Sequence, residues 1–490
     1  MATPIPANRA SFTLTEIAHV TGGRIVGPGQ GAVCGVVTDS RRVTPGSLFV
    51  ALQGEHHDAH RFLPQVAEAG AAAALVMPGR AVAAPTVAIE VPDTLAALGS
   101  LAAHHRRAWG GTVVAITGSA GKTTTKELTA AALAATGLSV ARTVGNLNNR
   151  IGVPMTLLAL DASSELAVVE MGTSAPGEIA TLAVMTDPQV GVVTTVAVAH
   201  SEGLGSLAGV AQEKLSLLAA LGRHGVAVYG IDSEPLRRYG QSAPIERAWS
   251  FGRAVEARSR LVAHELDGQL RNRCRYLVGG HACDVTMAML GEGPAVDGAA
   301  ALAVVAAIAG EGALEAALQA ACQGLASVPA VAGRLSPVPG PNGALVIDDS
   351  YNANPASMQA SLATLAQTAR ARGGRALAVL GDMKELGGAE ADEHRAVGRQ
   401  AAQLQLARLV LCGEAMAVAA DSAGQVPCVR VADPLAAVEA LGPLGEHDVV
   451  LIKGSRSMAM ERLVGALQAS GSASGSASGS ASGQASGTCP

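Results

Sequence analysis

Residues 117–127 read Thr-Gly-Ser-Ala-Gly-Lys-Thr-Thr-Thr-Lys-Glu, an order that suits a loop built around phosphate. An apolar, β-branched run precedes them, Thr112-Val113-Val114-Ala115-Ile116, and an alanine-rich helical stretch follows from Glu127 to Ala135. Strand, glycine turn and helix in that order bring backbone N–H groups and the positive end of a helix to one point. Gly118, Ser119, Ala120 and Gly121 would form the cradle. Lys122 would reach the β- and γ-phosphates, and the Thr123 hydroxyl, with Thr124 beside it, would ligate Mg²⁺. The common spacing of such loops places a glycine at 116. Ile116 stands there, so this is the shortened form Thr117-Gly118-x-x-Gly121-Lys122-Thr123. The segment predicts an enzyme that binds ATP.

Further polar residues fall at the ends of apolar runs. Glu170 closes Leu166-Ala-Val-Val-Glu-Met-Gly, and His200 follows the run from Val190 to Ala199. Ligands of parallel α/β sheets bind beyond the carboxyl ends of the strands, so these two are candidate Mg²⁺ ligands beside the phosphate loop. Asp348-Asp349-Ser350-Tyr351-Asn352-Ala353-Asn354-Pro355 follows the run Leu345-Val346-Ile347. Gly381-Asp382-Met383-Lys384-Glu385 and Lys453-Gly454-Ser455-Arg456 stand in equivalent places. Three such loops would line one edge of a sheet, where Lys453 and Arg456 suit an anionic substrate.

The elements needed to position these groups can be read from the same pattern. The first part, to about residue 90, alternates short strands (32–38, 47–52, 73–76) with helices (15–20, 62–69). A helix over 93–107, capped by Asp93 or Thr94, leads into the phosphate-loop strand. Strands follow at 166–170, 190–196 and 227–230, then a more polar, strand-like stretch over 255–289 and an alanine-rich helix near 298–310. From Gly333 onward strands at 344–347, 376–380, 408–411 and 449–452 alternate with helices, which indicates a parallel sheet covered on both faces. The expected division is 1–90, 91–332 and 333–468, with a disordered Ser/Gly/Ala tail over 469–490.

Composition narrows the class. Aromatic residues make up 2% against 49% hydrophobic, so the cores must be built from Ala, Val and Leu. A net charge of −5 argues against a nucleic-acid binder. The seven cysteines (34, 274, 283, 322, 412, 428 and 489) are scattered and never spaced Cys-x-x-Cys, which suits a reducing compartment and gives no zinc site. The start of the chain carries no signal-peptide pattern, and no apolar run approaches membrane-spanning length, so a cytoplasmic, soluble protein is expected.

With these motifs in place the chain resembles the Mur ligase family, from about residue 12 to 468. The resemblance rests on Asp39-Ser40-Arg41 with Pro45-Gly-Ser-Leu-Phe-Val-Ala-Leu, the short phosphate loop, and Gly145-Asn-Leu-Asn148-Asn149-Arg-Ile-Gly. It rests also on Glu170-Met-Gly, Ala199-His200 with Gly205-Ser-Leu, Gly333-Arg334, the Asp348–Pro355 string and Lys453-Gly-Ser-Arg456. It implies a three-domain α/β enzyme: a central P-loop ATPase-like parallel sheet, a small α/β N-terminal domain and a Rossmann-like C-terminal domain. The Asp-Ser-Tyr-Asn-Ala-Asn-Pro string points to the branch that adds D-alanyl-D-alanine to UDP-N-acetylmuramoyl-tripeptide in peptidoglycan synthesis.

By that resemblance Ser40 and Arg41 lie near the uridine diphosphate, and Lys122 and Thr123 hold the ATP phosphates and Mg²⁺. Glu170 and His200 serve the metals, Asn148 and Asn149 line the nucleotide site, Arg334 and Asp349 hold the ribose, and Asn352 lies near the reacting phosphate. Lys214, nine residues after Gly205, matches the lysine that the family carries as a carbamate supporting a second Mg²⁺. The expected reaction phosphorylates the tripeptide carboxylate and lets the D-alanyl-D-alanine amine attack the acyl phosphate. The expected working form is a monomer without membrane insertion.

Two segments depart from the family pattern. Where the family has His-Asn and a later Asn ahead of an Ala-rich helix, this chain reads Ala295-Val296-Asp297-Gly298-Ala299, and Asp297 is expected to replace that group in part in adenine recognition. The family's Thr-Asn-Ile is Thr194-Thr195-Val196 here, and weaker or less selective nucleotide binding is expected. The alternatives are another Mur-type amide ligase, a folylpolyglutamate synthase, or a nucleotide-binding relative without catalysis.

Overall fold

The computed structural model describes residues 3–55, 57–81, 87–197, 201–242 and 247–476. Its largest sheet has nine strands, with the phosphate-loop strand Thr112–Thr117 between Val190–Val193 and Leu166–Glu170. These three pair in parallel, so their carboxyl ends open on one edge. Val140–Arg142 closes one side. Val226–Gly230 and Ala248–Gly252 extend the other, and Ser259–Leu266, Asn272–Val278 and His281–Met287 add an antiparallel meander. Strands buried on both faces show as unbroken apolar runs, as Val113–Ile116 and Leu166–Val169 do, each 2% exposed or less.

A five-stranded sheet (Arg24–Val26, Val36–Val37, Leu48–Val50, Ala73–Val76, Val87–Glu90) precedes this one. The helix Thr94–Trp109, capped by Asp93 through the backbone N–H groups of Leu95 and Ala96, joins the two. Its buried face packs into one continuous core with Ile17, Leu48 and Leu75 on one side and Val113, Ala115 and Val169 on the other. A six-stranded sheet follows, in the order Ser336–Pro339, Leu345–Asp349, Val449–Lys453, Ala376–Gly381, Arg408–Cys412, Cys428–Val431. It is parallel except at its first strand. The cores are built mainly from Ala, Val, Leu and Met, as the scarcity of aromatics requires, with Phe251 and Tyr276 among the few buried rings.

Three elements differ from the sequence expectation. The strand expected over 190–196 stops at Val193: Thr194 N–H still donates to Thr117 O, while its hydroxyl and the Thr195 carbonyl turn to the phosphate loop. The alanine-rich helix spans Glu292–Ala309, six residues earlier than expected, with Pro294 in its first turn, where a missing N–H leaves no bond unmade. That helix has the length and apolarity of a membrane span, which the sequence reading had not recognised, and it is packed between the loop helix, a neighbouring helix and the sheet. The last helix, Glu461–Ser476, runs past Ala469, where the tail was expected to begin. Residues 477–490 and Cys489 lie outside the described residues.

One ion pair ties the amino-terminal edge of the C-terminal sheet. Asp448 accepts from Arg375 Nη2 at 2.5 Å and from the N–H groups of Arg375 and Gly445. The Arg375 guanidinium holds its carboxyl down to about 2. A depressed carboxylate stabilises the fold above the ordinary carboxylate range, and that contribution disappears as pH falls through about 2. Asp448→Asn is therefore expected to lower the melting temperature at neutral pH by roughly 3–6 °C, with the gap from the parent closing in strong acid. Thermal melts of both proteins from neutral pH downward check this.

Candidate functional site

The loop helix Lys122–Ala135 begins directly at Gly121, which has φ +81°. That left-handed conformation favours glycine and lets the loop turn sharply into the helix. Ser119 N–H donates to Thr195 O at 2.8 Å, and its hydroxyl donates to Ala197 O at 3.0 Å. Thr194 Oγ1 donates to Ala120 O. Thr194–Ala197 thus clamps the loop from the side. Lys122 Nζ lies over the loop and donates to Gly118 O at 2.7 Å. Burial lowers its pKa, with Glu170 opposing and Arg334 adding to the shift.

Glu170, 1% exposed, is the centre on the other side. Thr123 Oγ1 donates to its Oε2 at 3.0 Å, and Asn148 Nδ2 donates to its Oε1 at 2.8 Å. Thr143 Oγ1 accepts from its backbone N–H. Three of the residues chosen from sequence therefore meet at one point. Asn149 does not join them: its Oδ1 accepts from the N–H groups of Ile151 and Gly152 and starts the helix Gly152–Leu158.

Lys126 was not singled out in the sequence, although it lies on the same helix one turn beyond Lys122. It is fully buried, with Nζ 3.0 Å from Glu127 Oε1, 3.7 Å from Glu170 Oε2 and 3.4 Å from Gly145 O. It ties the loop helix, the Glu170 strand and the Gly145 loop together. Its spacing from Lys122 was the available signal.

Lys214, in the helix Leu207–Ala219, is 1% exposed, and its Nζ has no hydrogen-bond partner among the described residues. Burial, then the neighbouring Lys122, push its pKa well down, against Glu213 and Glu178. Its neighbour Glu213 is fully used, accepting from the N–H groups of Gly177 and Ile179. His200 lies outside the described residues. Among the described residues no three carboxylate, imidazole or thiol groups gather as a metal cluster.

The C-terminal sheet brings its first polar loop to the same place. Asn354 caps the helix Pro355–Arg372, its Oδ1 accepting from Ser357 N–H, and its Nδ2 donates to Ser119 O of the phosphate loop at 3.1 Å. Asn354 makes this contact, and the Asn352 side chain is exposed. The expected Asp349 and Lys453 sites are spoken for. Lys453 Nζ donates to Asp349 Oδ2 at 2.5 Å and to Asn352 O at 3.0 Å, and Asp349 also accepts from Ser361 Oγ and Leu335 N–H. In this arrangement they brace the loop. Arg334 and Arg456 remain, both stacked on the Tyr351 ring, at 4.3 and 5.7 Å from its centroid. In the first sheet region Ser40 and Arg41 form a short turn capped by Asp39, and Arg41 is bidentate to that carboxylate. Beside the phosphate loop a cavity of ≈ 500 Å³ is lined by Thr195, Ala197, Gly230, Asp232, Phe251 and Val296, among others.

Comparison with known proteins agrees with this geometry. Residues 32–106 match the model of the Mur ligase family, catalytic domain; 116–305 match the Mur ligase middle domain; 333–456 match the Mur ligase, glutamate ligase domain. The UDP-N-acetylmuramoyl-tripeptide–D-alanyl-D-alanine ligase of Escherichia coli K12 is 37% identical over 94% of this chain and 99% of its own length. The Bacillus subtilis enzyme of the same name is 34% identical over 92% and 97%. Among solved structures, MurF from Acinetobacter baumannii superposes with a TM-score of 0.82 at 29% identity, covering 95% of this chain and all of that one. MurF from Thermotoga maritima in complex with ADP gives 0.78 at 27% identity, covering 90% and 98%.

Proposed function

The chain belongs to the Mur ligase family, and from that premise we propose that it joins D-alanyl-D-alanine to UDP-N-acetylmuramoyl-tripeptide at the expense of ATP, in peptidoglycan precursor synthesis. The observation that carries the reading is the meeting of the phosphate loop, the Glu170–Thr123–Asn148 cluster and the Asn354 turn of the C-terminal sheet. On this reading residues 1–90 receive the UDP end, with Ser40 and Arg41 beside it, 91–332 hold ATP, and 333–468 supply Arg334, Asn352 and Arg456 over the reacting groups. The protein acts as a cytoplasmic monomer.

Phosphoryl transfer of this kind depends on positioning and on neutralising charge, with little covalent work for the protein. Lys122 sits where the β- and γ-phosphates would bridge the loop, and it exchanges its bond to Gly118 O for bonds to them. Thr123 Oγ1 and the Glu170 carboxylate, 3.0 Å apart, are the hard oxygen donors that Mg²⁺ takes. Bound there, Mg²⁺ would spread the negative charge of the transferring group. The tripeptide carboxylate gains the γ-phosphoryl group, the D-alanyl-D-alanine amine attacks that acyl phosphate, and phosphate leaves. Asn354 keeps the C-terminal sheet on the loop, which shields the acyl phosphate from water.

Lys214 extends the reading. Burial and the neighbouring Lys122 favour the uncharged amine at Lys214, and that is the form that adds CO₂, forming an N–C bond and releasing a proton to give a carbamate. The product is a carboxylate on a long arm, able to support a second Mg²⁺ with His200.

Phosphate release from ATP and Mg²⁺ tests the whole proposal. Release that requires both UDP-N-acetylmuramoyl-tripeptide and D-alanyl-D-alanine is expected. Release with diaminopimelate and the dipeptide precursor in their place would move the enzyme to another branch of the family.

A further inference from the structure

Asp297 lies in the second turn of the helix Glu292–Ala309 and is 8% exposed. Its carboxyl is laid against the backbone of the phosphate loop. A Cβ on Gly121 would come within 2.4 Å of Asp297 Oδ1 and 3.1 Å of Oδ2. Thr125 Oγ1, in the first turn of the loop helix, donates to Oδ1 at 3.0 Å. Gly121 is therefore held to glycine twice, by its φ and by the acid that fills the space beside it.

An acid in this place has a definite electrostatic meaning. The loop N–H groups and the amino end of the helix Lys122–Ala135 form the positive field in which nucleotide phosphates would sit. Ionised, the Asp297 carboxylate occupies that field as an internal anion and repels the incoming phosphates. Neutral, it keeps its contact with Thr125 and does neither.

The surroundings favour the neutral form. Burial lifts Asp297 from the ordinary carboxylate range to about 7, against the Thr125 hydrogen bond and the Arg334 charge, which pull it down. Among the described residues Arg334, from the turn ahead of Ser336–Pro339, supplies the one charge that acts on it. The strand Asn272–Val278 presents the Tyr276 phenol, which donates to Ala295 O and whose ionisation is opposed by Asp297. The loop helix presents the neutral Thr125, since Lys122 Nζ turns to Gly118 O and Lys126 Nζ to Glu127 and Glu170.

We propose that Asp297 is a positioning residue of the nucleotide site that works as the neutral acid, so that nucleotide phosphates seat on the loop together with one proton held on this carboxyl. The inference rests on the ATP-binding part of the proposed function. The sign follows from linkage: where free Asp297 is ionised, binding must take up a proton, and affinity falls as pH rises.

Calorimetric titration with ADP, without metal, between about pH 6.5 and about pH 8.5 in buffers of different ionisation enthalpy tests it. The wild-type protein is expected to take up about one proton per ADP at the upper end, with affinity falling up to roughly tenfold per pH unit above about 7. Asp297→Asn should lose both effects, leaving only the titration of ADP itself. Thr125→Val removes a bond that favours the ionised form, so its break should move to higher pH. A packing role alone would shift no such break. The same pH slope in the wild type, Asp297→Asn and Thr125→Val, each verified as folded by its melt, would overturn this proposal while leaving nucleotide binding intact. Absence of ADP binding at every pH would overturn the nucleotide reading, and this proposal with it.

Discussion

Exchanging Lys122 for methionine lowers substrate-dependent phosphate release on the order of 10³-fold, with the protein still folded. The argument is geometric. Methionine keeps the length and the apolar stem of lysine, so the packing of the stem against the loop survives. What goes is the one ammonium that lies across the loop, 2.7 Å from Gly118 O, where it would meet the phosphates. Among the described residues no other ammonium donates to the loop: Lys126 is committed to Glu127 and faces Glu170. The loss should fall mainly on kcat, because charge on the phosphates grows most useful in the transition state. Steady-state rates at saturating ATP, with a thermal melt as control, decide it. Wild-type turnover in this variant would remove Lys122 from the mechanism.

Lys214→Ala is expected to lower turnover roughly 10²-fold or more, and to do so without destabilising the protein. The two readouts run in opposite directions for a reason. A buried amine nitrogen at 1% exposure with no hydrogen-bond partner among the described residues is unfavourable, so losing it should leave stability unchanged or raised. A lysine of merely structural value would show the reverse, lost stability with activity kept. Removing dissolved CO₂ from the wild-type assay should slow it, and bicarbonate should restore it. The Ala variant should respond to neither. Full activity in Lys214→Ala would sink the carbamate.

The strands that carry this chemistry were legible because they are buried on both faces. Thr112–Thr117 and Leu166–Glu170 run as unbroken apolar segments, and the sequence placed them within a residue. Thr123 and Glu170 could be named for the same reason, since each stands at the end of, or just beyond, such an element, whereas Asn148 was named through the family resemblance. Contacts made by tertiary approach were not legible. Asp349 and Lys453 are 104 residues apart, and each alone suits a substrate; only the fold shows that they pair with each other. The helix Glu292–Ala309 was started late because Gly291-Glu-Gly-Pro has the composition of a turn. That misplacement hid the direction in which Asp297 faces. Lys126 was passed over because a lysine on a helix is ordinarily solvated, and nothing local says that this one is enclosed.

Asn354 divides its amide between two tasks, the oxygen closing its own helix and the nitrogen reaching Ser119 O. If the C-terminal sheet swings away from the loop, only the second bond is broken. The first still fixes the rotamer, so the NH₂ group stays aimed at where the carbonyl will return. Re-engagement then proceeds like a spring-loaded catch whose tongue never rotates: the ordering entropy of the side chain has been met by the helix before the two surfaces touch. Asn354→Asp would keep the oxygen that caps the helix and lose the donor, leaving the helix sound and the catch unable to close.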